Sequence, residues 1–376
     1  MSGKNYKPEM WAGVLILFLA GGMPWLMTQA QSAQNPTVSE AKRDKILTYI
    51  RERFGVSPTV KLTLDNWHSS AAVPGFDEAT VSVSDGKNQR SQTILVSDDS
   101  RFLITVTGNI IDLPQNSTAE MTQRLRENFK IPATTKVSIG VFKRSASPEF
   151  EQAVLTMDDP ARPPKQERTL LITRDRKHLV LSEIYNLGVD PRLVALRSLS
   201  LHDEPSQGPA DAPVTLVEFA DLECPMCARM HEFLENQVRP RYGDKIRIVF
   251  KEFPLRAIHD WSYTAAIACQ CAYEMNPASY VPLRSAIFRN QQLINITNLR
   301  DSLLTFGEQA GLDRVKLAAC IDAGSSVPRI QRDMAEAKRL DVVSTPTAFI
   351  NGKMIVGLPS EDAYYQAIDE ALREHR

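Results

Sequence analysis

Val214-Thr215-Leu216-Val217-Glu218-Phe219-Ala220-Asp221-Leu222-Glu223-Cys224-Pro225-Met226-Cys227 is an apolar run that ends in two cysteines. The run has strand composition, and the stretch from Ala228 to Val238 after it has helix composition. The first cysteine therefore stands at a helix start, where unpaired backbone N–H groups and the positive dipole end favour thiolate over thiol. Thiolate is the reactive species, and a second cysteine one turn later is close enough to form a disulfide with it. Alternation along the run puts Leu216 and Glu218 on one face, and Val217 and Phe219 on the other.

Working outward, a second strand is predicted at Ile246–Phe250, and several helices from about 260 to 340. The chain then returns as Thr347–Ile350, Asn351-Gly352 and Met354–Val356. Asn-Gly between apolar runs is a hairpin signal. A last helix is predicted over about 360–373. A βαβ half, a helical insertion and a ββα half make a thioredoxin-like plan for residues 213–376.

Upstream, Asp203 to Pro213 is rich in Pro, Gly and small polar residues, so a linker is placed at 201–212. Before it, Asp190-Pro191 opens a short helix to about Ser198. Residues 38–200 contain an internal repeat. Ile50 to Leu64 lies over Leu125 to Ile139 without a gap, Phe76 to Val81 over Phe150 to Leu155, and Thr93 to Ile104 over Thr169 to Val180. Two α+β units are expected, 38–114 and 115–200, each a helix followed by about four antiparallel strands. The helices are placed at about 40–54 and 118–129. His68 and His178 are isolated, and nothing in the repeats reads as catalytic.

Residues 1–33 read as an export segment. Lys4 and Lys7 precede the apolar core Trp11 to Leu19, and Thr28-Gln29-Ala30 offers small residues for cleavage. An uncleaved anchor through residues 11–27 is the other reading. Either places the remainder outside the cytoplasm, in the periplasm or cell envelope, where disulfides persist. The 376 residues are 43% hydrophobic and 24% charged with net charge −1, which gives no footprint for nucleic acid. Five cysteines are too few for a disulfide scaffold.

Gly208 to Cys227, Phe250-Lys251-Glu252-Phe253-Pro254-Leu255 with His259, and Ser344-Thr345-Pro346 to Gly352 together resemble the DsbA-like thiol-disulfide oxidoreductases. The resemblance spans about residues 208–374. The repeats, most of all Thr169 to Val180, resemble the cystatin-like domain of periplasmic disulfide isomerases, which usually carry a single copy. The resemblance implies that Cys224 is the nucleophile and Cys227 the resolving thiol. It also makes Glu218, six residues before Cys224, a buried acid exchanging a proton with Cys227, and gives a cis Pro346 beside the pair. Thr345 would offer backbone groups to a client, and Pro225 and Met226 would line the contact and tune the potential. Lys251 is the expected ionic partner of Glu218, while Asp221 and Glu223 are expected to be solvated loop acids. A structural disulfide Cys271–Cys320 is implied, with Cys269–Cys320 as the alternative.

The function expected is exported disulfide formation, reduction or isomerisation on cysteine-containing clients, with a membrane or envelope redox partner and no cofactor or metal. Two other readings stand beside it. One is a metal module using Cys224, Cys227, Cys269 and Cys271 as thiolates. The other is an envelope chaperone binding clients through the repeats.

Overall fold

The computed structural model describes residues 38–84, 86, 88–159 and 165–375. The export segment 1–33 lies outside them; among the described residues no helix is long and apolar enough to cross a membrane. Contacts divide the described chain into two units. One holds residues 38–50 and 58–190, the other 51–57 and 191–375.

The first unit follows the repeat. Helix α1 (Glu40–Arg53) precedes β1 (Lys61–Ser69), β2 (Phe76–Ser84), β3 (Gln89–Ser97), β4 (Phe102–Thr105) and β5 (Thr107–Asp112). Helix α2 (Thr118–Phe129) precedes β6 (Lys136–Ile139), β7 (Lys143–Arg144), β8 (Phe150–Asp158), β9 (Gln166–Thr173), β10 (His178–Leu181) and β11 (Ile184–Asn186). The copies agree down to their turns. Ser97 Oγ donates to Asp99 and Thr173 Oγ1 to Asp175, each followed by a left-handed residue, Ser100 (φ 56°) and Arg176 (φ 59°).

The sheets are not built one per repeat, as the sequence led us to expect. Their orders are β1-β2-β3-β4-β11 and β5-β10-β9-β8-β6. Each sheet is completed by the last strand of the other repeat: β11 pairs β4, and β5 pairs β10. Only Val106 separates β4 from β5, so the chain passes from one sheet into the next without a turn. Strand patterning sees a period of two and carries no label for the sheet that a strand joins. Equivalent residues then meet in a shared core of Phe76, Leu95 and Ile104 against Phe150, Leu171 and Val180. The Phe76 and Phe150 rings stand edge to face with centroids 5.6 Å apart.

The second unit opens with α3 (Pro191–Ser198), β12 (Ser206–Gln207), β13 (Val214–Ala220) and α4 (Pro225–Phe233). The chain continues through a π turn (Leu234–Val238) and α5 (Arg239–Tyr242) into β14 (Ile246–Glu252). The insertion comprises α6 (Ser262–Met275), α7 (Tyr280–Arg289), α8 (Leu299–Gln309), α9 (Arg314–Ala323) and α10 (Val327–Arg339). Strands β15 (Thr347–Ile350) and β16 (Lys353–Val356) and helix α11 (Glu361–Glu374) complete it. The sheet runs β12-β14-β13-β15-β16, with β13 parallel to β14 and antiparallel to β15. Asn351 (φ 43°) and Gly352 (φ 85°) supply the paired positive φ that a tight hairpin needs. Both faces of the sheet are covered. Leu216, Ile248 and Phe250 pack on one side with α4, α6, α7 and α11. Val217, Phe219 and Val249 pack on the other with Ala337 and Leu340.

Candidate active site

Strand β13 delivers the chain to the mouth of α4. Cys224 is the N-cap residue and Pro225 the first helical residue, a position where a missing N–H costs nothing. Cys224 is 9% exposed and Cys227 fully buried; both are free thiols. Met226 is partly buried against the core, and Met230 and Leu234 are wholly inside it. Cys224 Sγ lies 3.5 Å from the Thr345 carbonyl oxygen, to which its protonated form donates, and the Thr345–Pro346 bond is cis. The segment carrying Thr345 thus lies against Cys224. Gln291, which belongs to no motif of the sequence, donates to the carbonyls of Leu222 (2.9 Å) and Cys224 (3.1 Å) and fixes the loop from the insertion side.

The two thiols are driven apart in acidity. A hydrogen bond from Cys227 lowers Cys224 to about 6; burial opposes this, and the Thr345 side chain and the backbone N–H groups of Cys227 and Met226 add to it. Burial pushes Cys227 well above the ordinary thiol range, and the Cys224 and Glu218 charges add to that. One thiol is thus ionised at neutral pH while the other holds its proton. A thiol with a depressed pKa stabilises the folded reduced protein above the unfolded value near 9, and that contribution is lost as pH falls through about 6. The oxidised protein has no such contribution.

Glu218 is fully buried, on the face of the sheet that carries the cysteine pair. Its ionic partner is Arg284 of α7, at 2.9 Å, and this corrects the expectation of Lys251. Lys251 lies opposite Phe219 in the parallel register and so points to the other face. There it meets Glu204 (2.8 Å), Asp333 (3.2 Å) and Glu336 (3.5 Å). Burial raises the pKa of Glu218, and Arg284 opposes the rise.

Asp221 and Glu223 are likewise not the solvated acids expected from the sequence. Asp221 is buried and accepts from Leu255 N (2.6 Å), Glu223 N (2.7 Å) and His259 Nδ1 (2.8 Å). Glu223 accepts from Trp261 N and Ser262 N at the start of α6. Both acids spend their charge on backbone N–H groups and His259, which sews the loop after β14 to the loop before Cys224.

Cys271 is joined to Cys320 (Cα–Cα 6.0 Å), and Cys269 is a buried free thiol. Of the four cysteines in the metal reading, Cys271 is therefore not a free thiolate. No group of three or more metal-ligating side chains stands together among the described residues.

A βαβ half, an α-helical insertion and a ββα half, with Cys-x-x-Cys at the helix start against a cis-proline loop, define a thioredoxin-like fold. Residues 200–370 match the family model described as thioredoxin. The chain is 30% identical over 151 residues to the Na(+)/H(+) antiporter NhaA of Herminiimonas arsenicoxydans, covering 40% of this chain and 23% of that protein. It is 29% identical over 163 residues to Na(+)/H(+) antiporter NhaA 1 of Mycolicibacterium gilvum, covering 43% and 25%. The chain thus spans about a quarter of the length of the curated relatives it matches. Among solved structures it is similar to BdbD from Bacillus subtilis, with 22% identity, TM-score 0.42, and 46% of this chain and 95% of that one covered. It is also similar to the thiol-disulfide exchange protein alpha-DsbA2 from Wolbachia pipientis, with 19% identity, TM-score 0.41, and 48% and 96% covered.

Proposed function

We propose that the chain is an exported thiol-disulfide oxidoreductase acting on cysteine-containing client proteins of the periplasm or envelope. The observation that carries this reading is the asymmetric pair: Cys224 at the helix mouth with a pKa of about 6, and Cys227 fully buried with a raised one. In the donating direction a client thiolate attacks Cys224 Sγ of the Cys224–Cys227 disulfide. The S–S bond breaks, Cys227 leaves and takes a proton from Glu218, and Cys224 is held in a mixed disulfide. A second client thiolate attacks the client sulfur and expels Cys224 as thiolate. A low pKa makes Cys224 a good leaving group and stabilises the reduced protein, which favours giving disulfides away or rearranging them over reducing them.

Thr345 beside Cys224 is the proposed docking segment for an extended client, with its backbone groups adding a strand-like pairing. Pro346, Pro225 and Met226 would frame that contact. The chain's own turnover then requires a membrane or envelope redox partner to reoxidise Cys224–Cys227. Mixing the oxidised chain with a reduced two-cysteine peptide tests the reading. The expected result is one disulfide appearing in the peptide for each Cys224–Cys227 pair reduced. Peptide thiols left unchanged, with the chain still oxidised, would sink it.

A further inference from the structure

Behind Cys227 lies a chain of buried groups of which the reaction above uses Glu218 alone. Arg284 donates from Nη2 to Glu218 Oε2 (2.9 Å) and from Nη1 to Tyr280 Oη (3.4 Å), and Tyr280 donates to Glu252 Oε1 (2.7 Å). All four side chains are at most 1% exposed. Glu252 belongs on this face because it lies two residues beyond Phe250, the register partner of Glu218. Two carboxyls thus depend on one guanidinium, Glu218 directly and Glu252 through Tyr280, at a depth where an unpaired charge is strongly disfavoured. Glu218 Oε1 and Glu252 Oε2 have no hydrogen-bond partner. One oxygen of each acid is therefore engaged while the other is available to a proton.

Resting on the proposed function, we infer that Arg284 is the positioning residue of the resolving step, and that it couples Glu218 electrostatically, by way of Tyr280, to Glu252, so that the charge on Glu252 sets how readily Glu218 exchanges a proton with Cys227. When Cys227 attacks the Cys224–client disulfide, its proton moves to Glu218. The new Cys224–Cys227 bond forms as the Cys224–client bond breaks, and the client departs as a thiolate. The cation keeps Glu218 able to accept. Glu252, the second acid, sets how many negative charges the site tolerates and so opposes Arg284.

The charges around Glu218 support that division. Arg284 favours its ionised form, whereas Glu235 and Cys224 disfavour it. Glu218 in turn bears on Cys227 and on Tyr364 of α11. Around Glu252, Arg284 and Tyr280 favour ionisation while burial, Glu218 and Asp221 oppose it, and its pKa is pushed up to about 7. Cys269 of α6 stays a thiol, held well above its ordinary range by burial and by Glu252. His231, lowered to about 3 by burial and the neighbouring Arg284 and Arg289 charges, adds no cation at neutral pH.

The test uses the whole reduced chain and an aromatic disulfide that releases a coloured thiolate. Attack by Cys224 gives a first release, and resolution by Cys227 gives a second. Arg284→Met should raise the pH midpoint of the second release by about one unit or more, which is about tenfold slower at neutral pH. Arg284→Lys should recover most of that loss. Glu252→Gln, which removes a charge without leaving a cation bare, should lower the same midpoint by about half a unit. Opposite shifts are the signature that a structural role would not produce. Equal midpoints in all three variants, or shifts of one sign, would overturn the coupling. A wild-type chain with no second release would instead overturn the proposed function, and the coupling with it.

Discussion

Replacing Cys224 by Ser lowers the rate of disulfide transfer by about a thousandfold or more. The hydroxyl fits where the thiol sits, at 9% exposure beneath the Thr345 carbonyl, so the fold has no reason to change. What goes is the proposed nucleophile. The interactions that bring Cys224 to about 6 leave an alcohol protonated at any accessible pH, and no S–S bond can form with a client. Cys227 does not replace it, because it is fully buried and its pKa is raised. Transfer to the two-cysteine peptide, followed by loss of peptide thiols, measures the effect. Retention of a tenth of the wild-type rate would mean that another thiol carries the reaction.

Lys251→Met should destabilise the second unit by about 3–5 kcal/mol, the usual cost of removing one partner from a buried charge cluster. At about 2–4 °C per kcal/mol for a unit of this size, the midpoint of thermal unfolding falls by roughly 10 °C. Lys251 is 1% exposed and bridges Glu204 to Asp333 and Glu336 of α10. Burial would lower its pKa, but these acids outweigh that and hold it up. Without the ammonium, three acids face one another. Asp333 is already pushed up to about 7 by burial, with Lys251 opposing, and Glu336 is raised for the same reason. Carboxyls whose folded pKa lies above the unfolded value stabilise at low pH and lose that contribution as pH rises. The deficit of Lys251→Met should therefore be largest near pH 8 and shrink toward pH 5. Melting curves across that range check it; a deficit independent of pH would mean that Lys251 acts through packing alone.

The sequence carried the strand-to-helix passage clearly, because Val214–Ala220 is apolar throughout and Pro225 can stand only at a helix start. It also carried the repeat and both repeat helices. The strand exchange was not legible, since nothing local to Val106 says which sheet receives β5. Lys251 was misassigned although the information was present. In the parallel register it lies opposite Phe219, so alternation turns it away from Glu218. Arg284 was legible too, had the stripe been followed. Tyr280, Leu283, Arg284, Ile287 and Phe288 occupy one face of α7, and an arginine inside an apolar stripe signals a buried counter-charge. Asp221 and Glu223 were not legible as hydrogen-bonded anchors, because their partners are backbone N–H groups of a loop more than thirty residues away.

The redox equilibrium of Cys224 and Cys227 in glutathione buffers, with the bonded pair identified after alkylation, is the most direct test of the proposed chemistry. The expected result is one reversible Cys224–Cys227 disulfide, with a potential between that of thioredoxin, about −270 mV, and that of DsbA, about −120 mV, because Cys224 is depressed to about 6. A pair that forms no disulfide, or one more reducing than thioredoxin, would contradict it.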